Sequence, residues 1–185
     1  MADVDAFLAD LARWTSEARV DEAARLRTRE RWLRQQAVEE ARFAGLALDL
    51  AERGGPVVAR TTTGASLHGR IVAVARDFCV LRHHGGTPTF LPLCAIATLR
   101  PEPGQRAPEA ASARRGPVEA SLTDVLAGLV GERPRVRIVV EGGGETVAGE
   151  LRAVGADVAT VRLDGEPRHT VYVHLGALRE LTLLG

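Results

Sequence analysis

Lysine is missing from this 185-residue chain, and all 24 basic side chains are arginine. Alanine and glycine are abundant as well, so a GC-rich coding sequence of bacterial type accounts for the bias without any appeal to function. Aromatic residues are scarce, 4% against 45% hydrophobic, so the core must rest on Val, Leu, Ile and Ala. The two cysteines, Cys79 and Cys94, give no disulfide or metal-binding spacing. Both fall in apolar strand patterns and are expected to be buried reduced thiols. No run of eighteen apolar residues occurs, which excludes a membrane-spanning helix. The acidic start MADVDAFLADLARW lacks the basic head of a secretory signal. A cytoplasmic protein without a membrane partner is expected.

Catalytic signatures are also missing. There is no GxSxG, no GxxxxGK and no HExxH, so we expect no enzyme and no cofactor. Gly142-Gly143-Gly144 precedes a strand pattern, not a helix, and reads as a hairpin turn. His68, His83, His84 and Cys79 match no zinc spacing, so no metal site is expected.

What the chain does have is a repeat. Sliding the stretch from Gly64 to Arg82 forward by eighty residues aligns Gly69 with Gly149, Ile71 with Leu151 and Ala73 with Ala153. Val74 then meets Val154, Asp77 meets Asp157, Leu81 meets Val161 and Arg82 meets Arg162. The same frame carried past the next turn pairs Leu91 with Val171, Leu93 with Val173 and Ala97 with Ala177. A frame shared through strands and turns implies two copies of one β module.

Around the repeat, the pattern changes. Residues 3–53 read as helix, capped by Asp3 or Asp5, with one apolar stripe through Phe7, Leu11, Trp14 and Ala18. A second stripe runs through Leu26, Leu33, Ala37, Ala41, Ala44 and Leu48, and Thr15-Ser16 permits a break. Gly54-Gly55-Pro56 ends the helix. Residues 101–120 are rich in Pro and poor in apolar bulk, as in a flexible linker. A short helix over Thr123–Val130 opens the second copy.

Each copy therefore reads as a helix followed by about five short strands. Gly64, Gly69, Ile71, Val74 and Asp77, with Gly144, Gly149, Leu151, Val154 and Asp157, carry a resemblance to the Sm-like branch of small SH3-type barrels. Leu91, Leu93 and Ile96 resemble that family's last pair of strands. The resemblance implies an α+β protein: an amino-terminal helical arm (1–53), a five-stranded barrel (54–100), a linker (101–120) and a second barrel with its leading helix (121–185). The asparagine that reads a base in that family is replaced, since Phe78, Cys79 and Val80 follow Asp77. The family's uridine pocket is therefore not carried over.

Charge then separates the copies. Residues 54–100 hold Arg60, Arg70, Arg76, Arg82 and Arg100 against the single acid Asp77, while residues 121–185 hold seven Arg and nine acids. A cationic module suits phosphate, and Arg60, Arg70, Arg76, Arg82, His83 and His84 are the candidate contacts to RNA or single-stranded nucleic acid. The two histidines would stack on unpaired bases from a hairpin tip. The helical Arg25, Arg27, Arg29, Arg31 and Arg34 spread around the helix, as on a solvated surface. The expected function is non-enzymatic RNA binding. The alternative is a protein-interaction adaptor that self-associates through its amino-terminal helices. A single sheet continuous through both copies would overturn the barrels, and with them any inference from their separate charged skins.

Overall fold

The structure is a computed structural model, and it describes residues 22, 25–105, 107–108, 119–142, 146–167 and 169–184. The chain divides into two units, Met1–Glu40 and Ala41–Gly185. In the first, helix α1 covers 25–39. The expected caps Asp3 and Asp5, the stripe from Phe7 to Ala18 and the break at Thr15-Ser16 lie outside the described residues.

The second unit begins with α2 (Phe43–Arg53), separated from α1 by a break at 40–42. As glycine at this position predicts, Gly54 ends α2 in the left-handed region at φ 63°, with its amide bonded to the carbonyl of Ala51. Five strands follow: β1 (Val57–Thr61), β2 (Ser66–Val74), β3 (Phe78–Arg82), β4 (Pro88–Pro92) and β5 (Ile96–Pro101). Helix α3 (Leu122–Leu129) leads five more: β6 (Arg135–Val140), β7 (Thr146–Val154), β8 (Val158–Leu163), β9 (Thr170–His174) and β10 (Leu178–Leu184).

These strands do not close into two barrels. They form one ten-stranded antiparallel sheet in the order β5-β1-β2-β3-β4-β10-β6-β7-β8-β9. The expectation of two closed five-stranded barrels is therefore wrong. Closing the first repeat on itself would require β4 to pair with β5. Instead β10 takes the free edge of β4, through Leu181 opposite Phe90 and Thr182 opposite Thr89. The physical reason is that β3 and β4 are apolar on both faces. Cys79, Leu81 and Leu91 enter one core with Ile71 and Leu50, whereas Phe78 and Phe90 enter the other with Leu122, Leu126 and Leu181. A hairpin with two apolar faces needs cover on both sides, as the buried strands of a layered sheet do.

The duplication survives this correction, because β5-β1-β2-β3-β4 is repeated by β10-β6-β7-β8-β9. The Ala75 amide bonds to the carbonyl of Phe78, as that of Gly155 does to Val158. Both second strands carry a bulge at matching places, between Ile71 and Ala73 and between Leu151 and Ala153. Gly69 and Gly149 sit where the bent strand meets its neighbour. A Cβ built on either would collide with the carbonyl oxygen of Arg82 or Arg162.

The frame of eighty does not persist past Arg82. Cys79 faces Leu91 and Ala159 faces Val173, so the offset becomes 82 in the next strand. Leu91 thus corresponds to Val173, not Val171; Leu93 corresponds to Leu175 and Ala95 to Ala177. Between the matched pairs Arg82–Pro88 and Arg162–Thr170, the second connection is two residues longer, which accounts for the slip. The expected linker is anchored at its start, since the Glu102 amide bonds to the carbonyl of Pro56. Its residues 109–118 lie outside the described residues. No helix among the described residues is long and apolar enough to cross a membrane.

Candidate functional site

With a continuous sheet, charge cannot be assigned to two separate skins. It has to be compared strand position by strand position. In the first repeat Arg70 on β2 stands directly opposite Arg82 on β3. At the matching positions of the second repeat, Glu150 stands opposite Arg162 and the two form an ion pair. Like charges directly opposite on one face destabilise a sheet, and opposite charges stabilise it. Register also fixes which arginines share a surface. Arg60 faces Ser66 and Thr98, Arg100 faces Val58, and Val58 faces His68. Since side chains two apart lie on one face, Arg60, His68, Arg70, Arg82 and Arg100 all belong to the same face of the first repeat. All five are exposed.

Local contacts orient two members of this set. Arg70 Nη1 donates to the carbonyl of Gly54 at 2.8 Å, which holds the guanidinium against the end of α2. His68 Nδ1 lies 3.0 Å from Glu102 Oε1, so one acid from beyond β5 reaches the cationic face. Arg82 has no acidic partner among the described residues.

The remaining candidates are placed elsewhere. Arg76 lies in the β2–β3 turn, near the start of α3, where it helps hold the Asp124 carboxyl below the usual carboxylate range. The larger causes there are the hydroxyl and amide of Ser121, within a capping box at the helix start. His84 is exposed in the β3–β4 turn. His83 is not a free ring. Its Nδ1 donates to the carbonyl of His68 at 3.0 Å, and its Nε2 shares a 2.9 Å hydrogen bond with the Thr89 hydroxyl. Thr89 in turn shares a 2.9 Å hydrogen bond with Thr182. This chain of polar groups ties β3, β4 and β10 together across the junction of the repeats.

Four arginines of the second repeat, Arg135, Arg152, Arg162 and Arg179, are paired with acids. Arg152 and Arg162 both bind Glu150, whose carboxyl is held below the usual range, first by Arg152 and then by Arg162. Arg135 binds Asp164 at 2.7 Å, which raises the guanidinium's already high pKa. These pairs line a cleft of about 320 Å³ in which every arginine already has a carboxylate.

The thiols divide. Cys79 is buried and its pKa is pushed up to about 12 by desolvation, so it is inert. Cys94 is exposed, contrary to the expectation of burial. No group of three His, Cys, Asp or Glu among the described residues is placed to hold a metal ion.

Sequence reasoning missed three residues at the junction. Asp77, singled out in the sequence only as a matched position of the repeat and the one acid of its module, accepts from the amide of Leu122 at 3.0 Å through Oδ1 and so caps α3 from 45 residues away. Thr89 and Thr182 are buried and paired. Glu180 on β10 is only 4% exposed, and its Oε1 has no partner among the described residues. No protein-family model matches this chain, and no curated protein matches it.

Proposed function

We propose that this protein binds RNA or another single-stranded nucleic acid through the arginine face of its first repeat. The observation that carries this reading is the Arg70–Arg82 cross-strand pair, set where the second repeat has Glu150–Arg162. Placing two guanidinium groups opposite each other costs stability, and an anion bound between them offsets that cost. Arg60 and Arg100 extend the cationic track along the same face, and exposed His84 offers a ring at the neighbouring turn. Arg76 lies near Asp124 and His83 is committed within the fold, so both serve position more than contact. The role is binding, without catalysis.

Fluorescence anisotropy with a labelled single-stranded RNA, repeated across a salt series, tests the proposal. Neutralising about three phosphates gives a slope of about −2 in log K against log salt. Arg70→Glu with Arg82→Glu should weaken binding at least about tenfold and flatten that slope, whereas Arg162→Glu should change neither. Absence of binding at about 50 mM salt, or affinity indifferent to salt, removes the proposal.

A second reading, a protein adaptor acting through its amino-terminal helices, rests on α1 alone. Leu26, Trp32, Leu33 and Val38 of that helix are all at least half exposed. A partner retained after nuclease treatment, and lost on Trp32→Glu with Leu33→Glu, would favour it over the first.

A further inference from the structure

The fold contains one worked example of how its repeats join, and among the described residues it leaves the matching halves of that joint open at its two ends. Inside the chain, β4 of the first repeat adds to β10 of the second. By repeat position β9 is the counterpart of β4, and β5 is the counterpart of β10. Those two strands are the ends of the sheet. The geometry points to head-to-tail self-association, in which β9 of one copy adds to β5 of the next and extends the sheet.

Two independent equivalences support this assignment. Phe90 on β4 lies opposite Leu181 and is buried in the joint at 8% exposure. With the offset of 82 fixed by strand pairing, its counterpart on β9 is Tyr172, which is 71% exposed. The counterpart of Leu181 on β5 is Leu99, because Ala59 faces Leu99 as Ile138 faces Leu181. An aromatic ring therefore stands uncovered on one edge, and a half-buried leucine waits on the other.

The second equivalence concerns helix caps. Asp77 of the first repeat caps the α3 helix of the second through the amide of Leu122. Asp157 occupies the same place in the second repeat: its carbonyl accepts from Leu175 as that of Asp77 accepts from Leu93, both at 2.8 Å. The Asp157 side chain is exposed and has no partner among the described residues. The helix it would meet in a following copy is α2. Its N-cap residue, Arg42, makes no side-chain cap hydrogen bond, and its first turn holds no acid. An exposed carboxylate and a helix start whose own N-cap side chain makes no cap bond are thus offered at opposite ends of one chain. Such a contact uses different surfaces on each partner, so it is heterologous and propagates until it closes.

One part of the inner joint is not reproduced. The Thr89–Thr182 pair has Val171 and Arg100 as its counterparts, so the outer joint lacks that buried hydrogen bond. The association is accordingly reversible, held by strand pairing, Tyr172 and the Asp157 cap.

Sedimentation equilibrium on the full chain tests it. At about 100 µM the wild-type chain should be larger than a monomer. Tyr172→Glu and Thr98→Glu, each at an exposed position of one edge, should each weaken association by at least about tenfold. Circular dichroism should show both variants folded. Mixing the two variants is the decisive arm: each keeps the edge that the other lost, so an equimolar mixture should form dimers, whereas either alone stays monomeric. A monomeric wild type, an oligomer insensitive to both substitutions, or a mixture without dimers each overturns the proposal. The second of these results would point to the amino-terminal helices; loss of association with only one of the two substitutions would likewise overturn the proposal and point to a symmetric edge pairing.

Discussion

The two repeats have the same strand order and the same bulged, glycine-bearing second strand, yet they handle charge and edges in opposite ways. The first opposes Arg70 with Arg82 and hides Phe90 beneath its neighbour. The second opposes Glu150 with Arg162 and leaves the counterpart of Phe90, Tyr172, in solvent. Where function is not asking for anything, a sheet pairs opposite charges and covers its aromatic rings. Each repeat breaks one of those rules and obeys the other. The first therefore opposes like charges but covers its β4 edge; the second opposes unlike charges at the matching position but leaves its β9 edge open. The proposed binding draws on the Arg70–Arg82 face of the first repeat, and the proposed assembly on the β9 edge of the second together with the β5 edge of the first.

The largest effects expected are those that break the equivalence of the edges. Phe90→Ala should cost about 3 to 5 kcal/mol in urea unfolding, since the ring lies within the shared core. Tyr172→Ala at the matching position should change the stability of the dilute chain by no more than about 0.5 kcal/mol. Comparable losses for both would mean that Tyr172 is covered within its own chain. Gly69→Ala and Gly149→Ala should each cost more than about 2 kcal/mol, because the new Cβ meets backbone that cannot move aside. Equal losses at the two sites would sharpen the repeat; a harmless one would break it.

A smaller effect, of opposite sign, is expected at Glu180. Its counterpart by register is Thr98, which is exposed, whereas Glu180 is buried with an unpartnered oxygen. Glu180→Thr should therefore raise stability by about 1 to 2 kcal/mol. The helix caps come next. Asp77→Ala should cost about 1 kcal/mol through the lost α3 cap. Asp157→Ala should leave a dilute sample unchanged and lower the melting temperature only at concentrations where copies associate.

Much of this was legible in the sequence, and the failures share one cause. The paired glycines, the apolar alternation and the Gly54 helix end are local signals, and each is found where local chemistry puts it. The closed barrels were an inference about which edges meet, and strand pairing is not a local property. The signal that could have corrected it lies in Phe78-Cys79-Val80-Leu81 and Phe90-Leu91. Those runs are apolar at consecutive positions, and a strand with one wet face does not tolerate that. The slip from 80 to 82 was hidden because Leu, Val and Ala are so common here that a frame two residues out still matches like with like. His83 does lie in the β3–β4 turn, but its ring is held and not free, for a related reason. A histidine beside Gly85-Gly86 reads as a turn residue, and its hydrogen bonds to the carbonyl of His68 and the hydroxyl of Thr89 come from elements distant in sequence or turned inward.

The smallest effect expected separates stability from binding most cleanly. Arg70→Glu gives the first repeat the Glu–Arg arrangement of the second, and should stabilise the chain at neutral pH by about 0.2 to 1 kcal/mol. The same substitution should remove most RNA affinity, so the variant is better folded and worse at its proposed task. Acid provides the internal check. Glu150 is held below the ordinary carboxylate range by Arg152 and Arg162, so its contribution is complete above that range and disappears as pH falls through its lowered pKa. The gain from Arg70→Glu should vanish in the same acidic window, while the Arg70–Arg82 pair of the wild type has no carboxylate to titrate. A gain that persisted into acid would show that Arg70 destabilises the sheet through packing and not through its charge. The observation on which the binding proposal rests would then lose its electrostatic meaning.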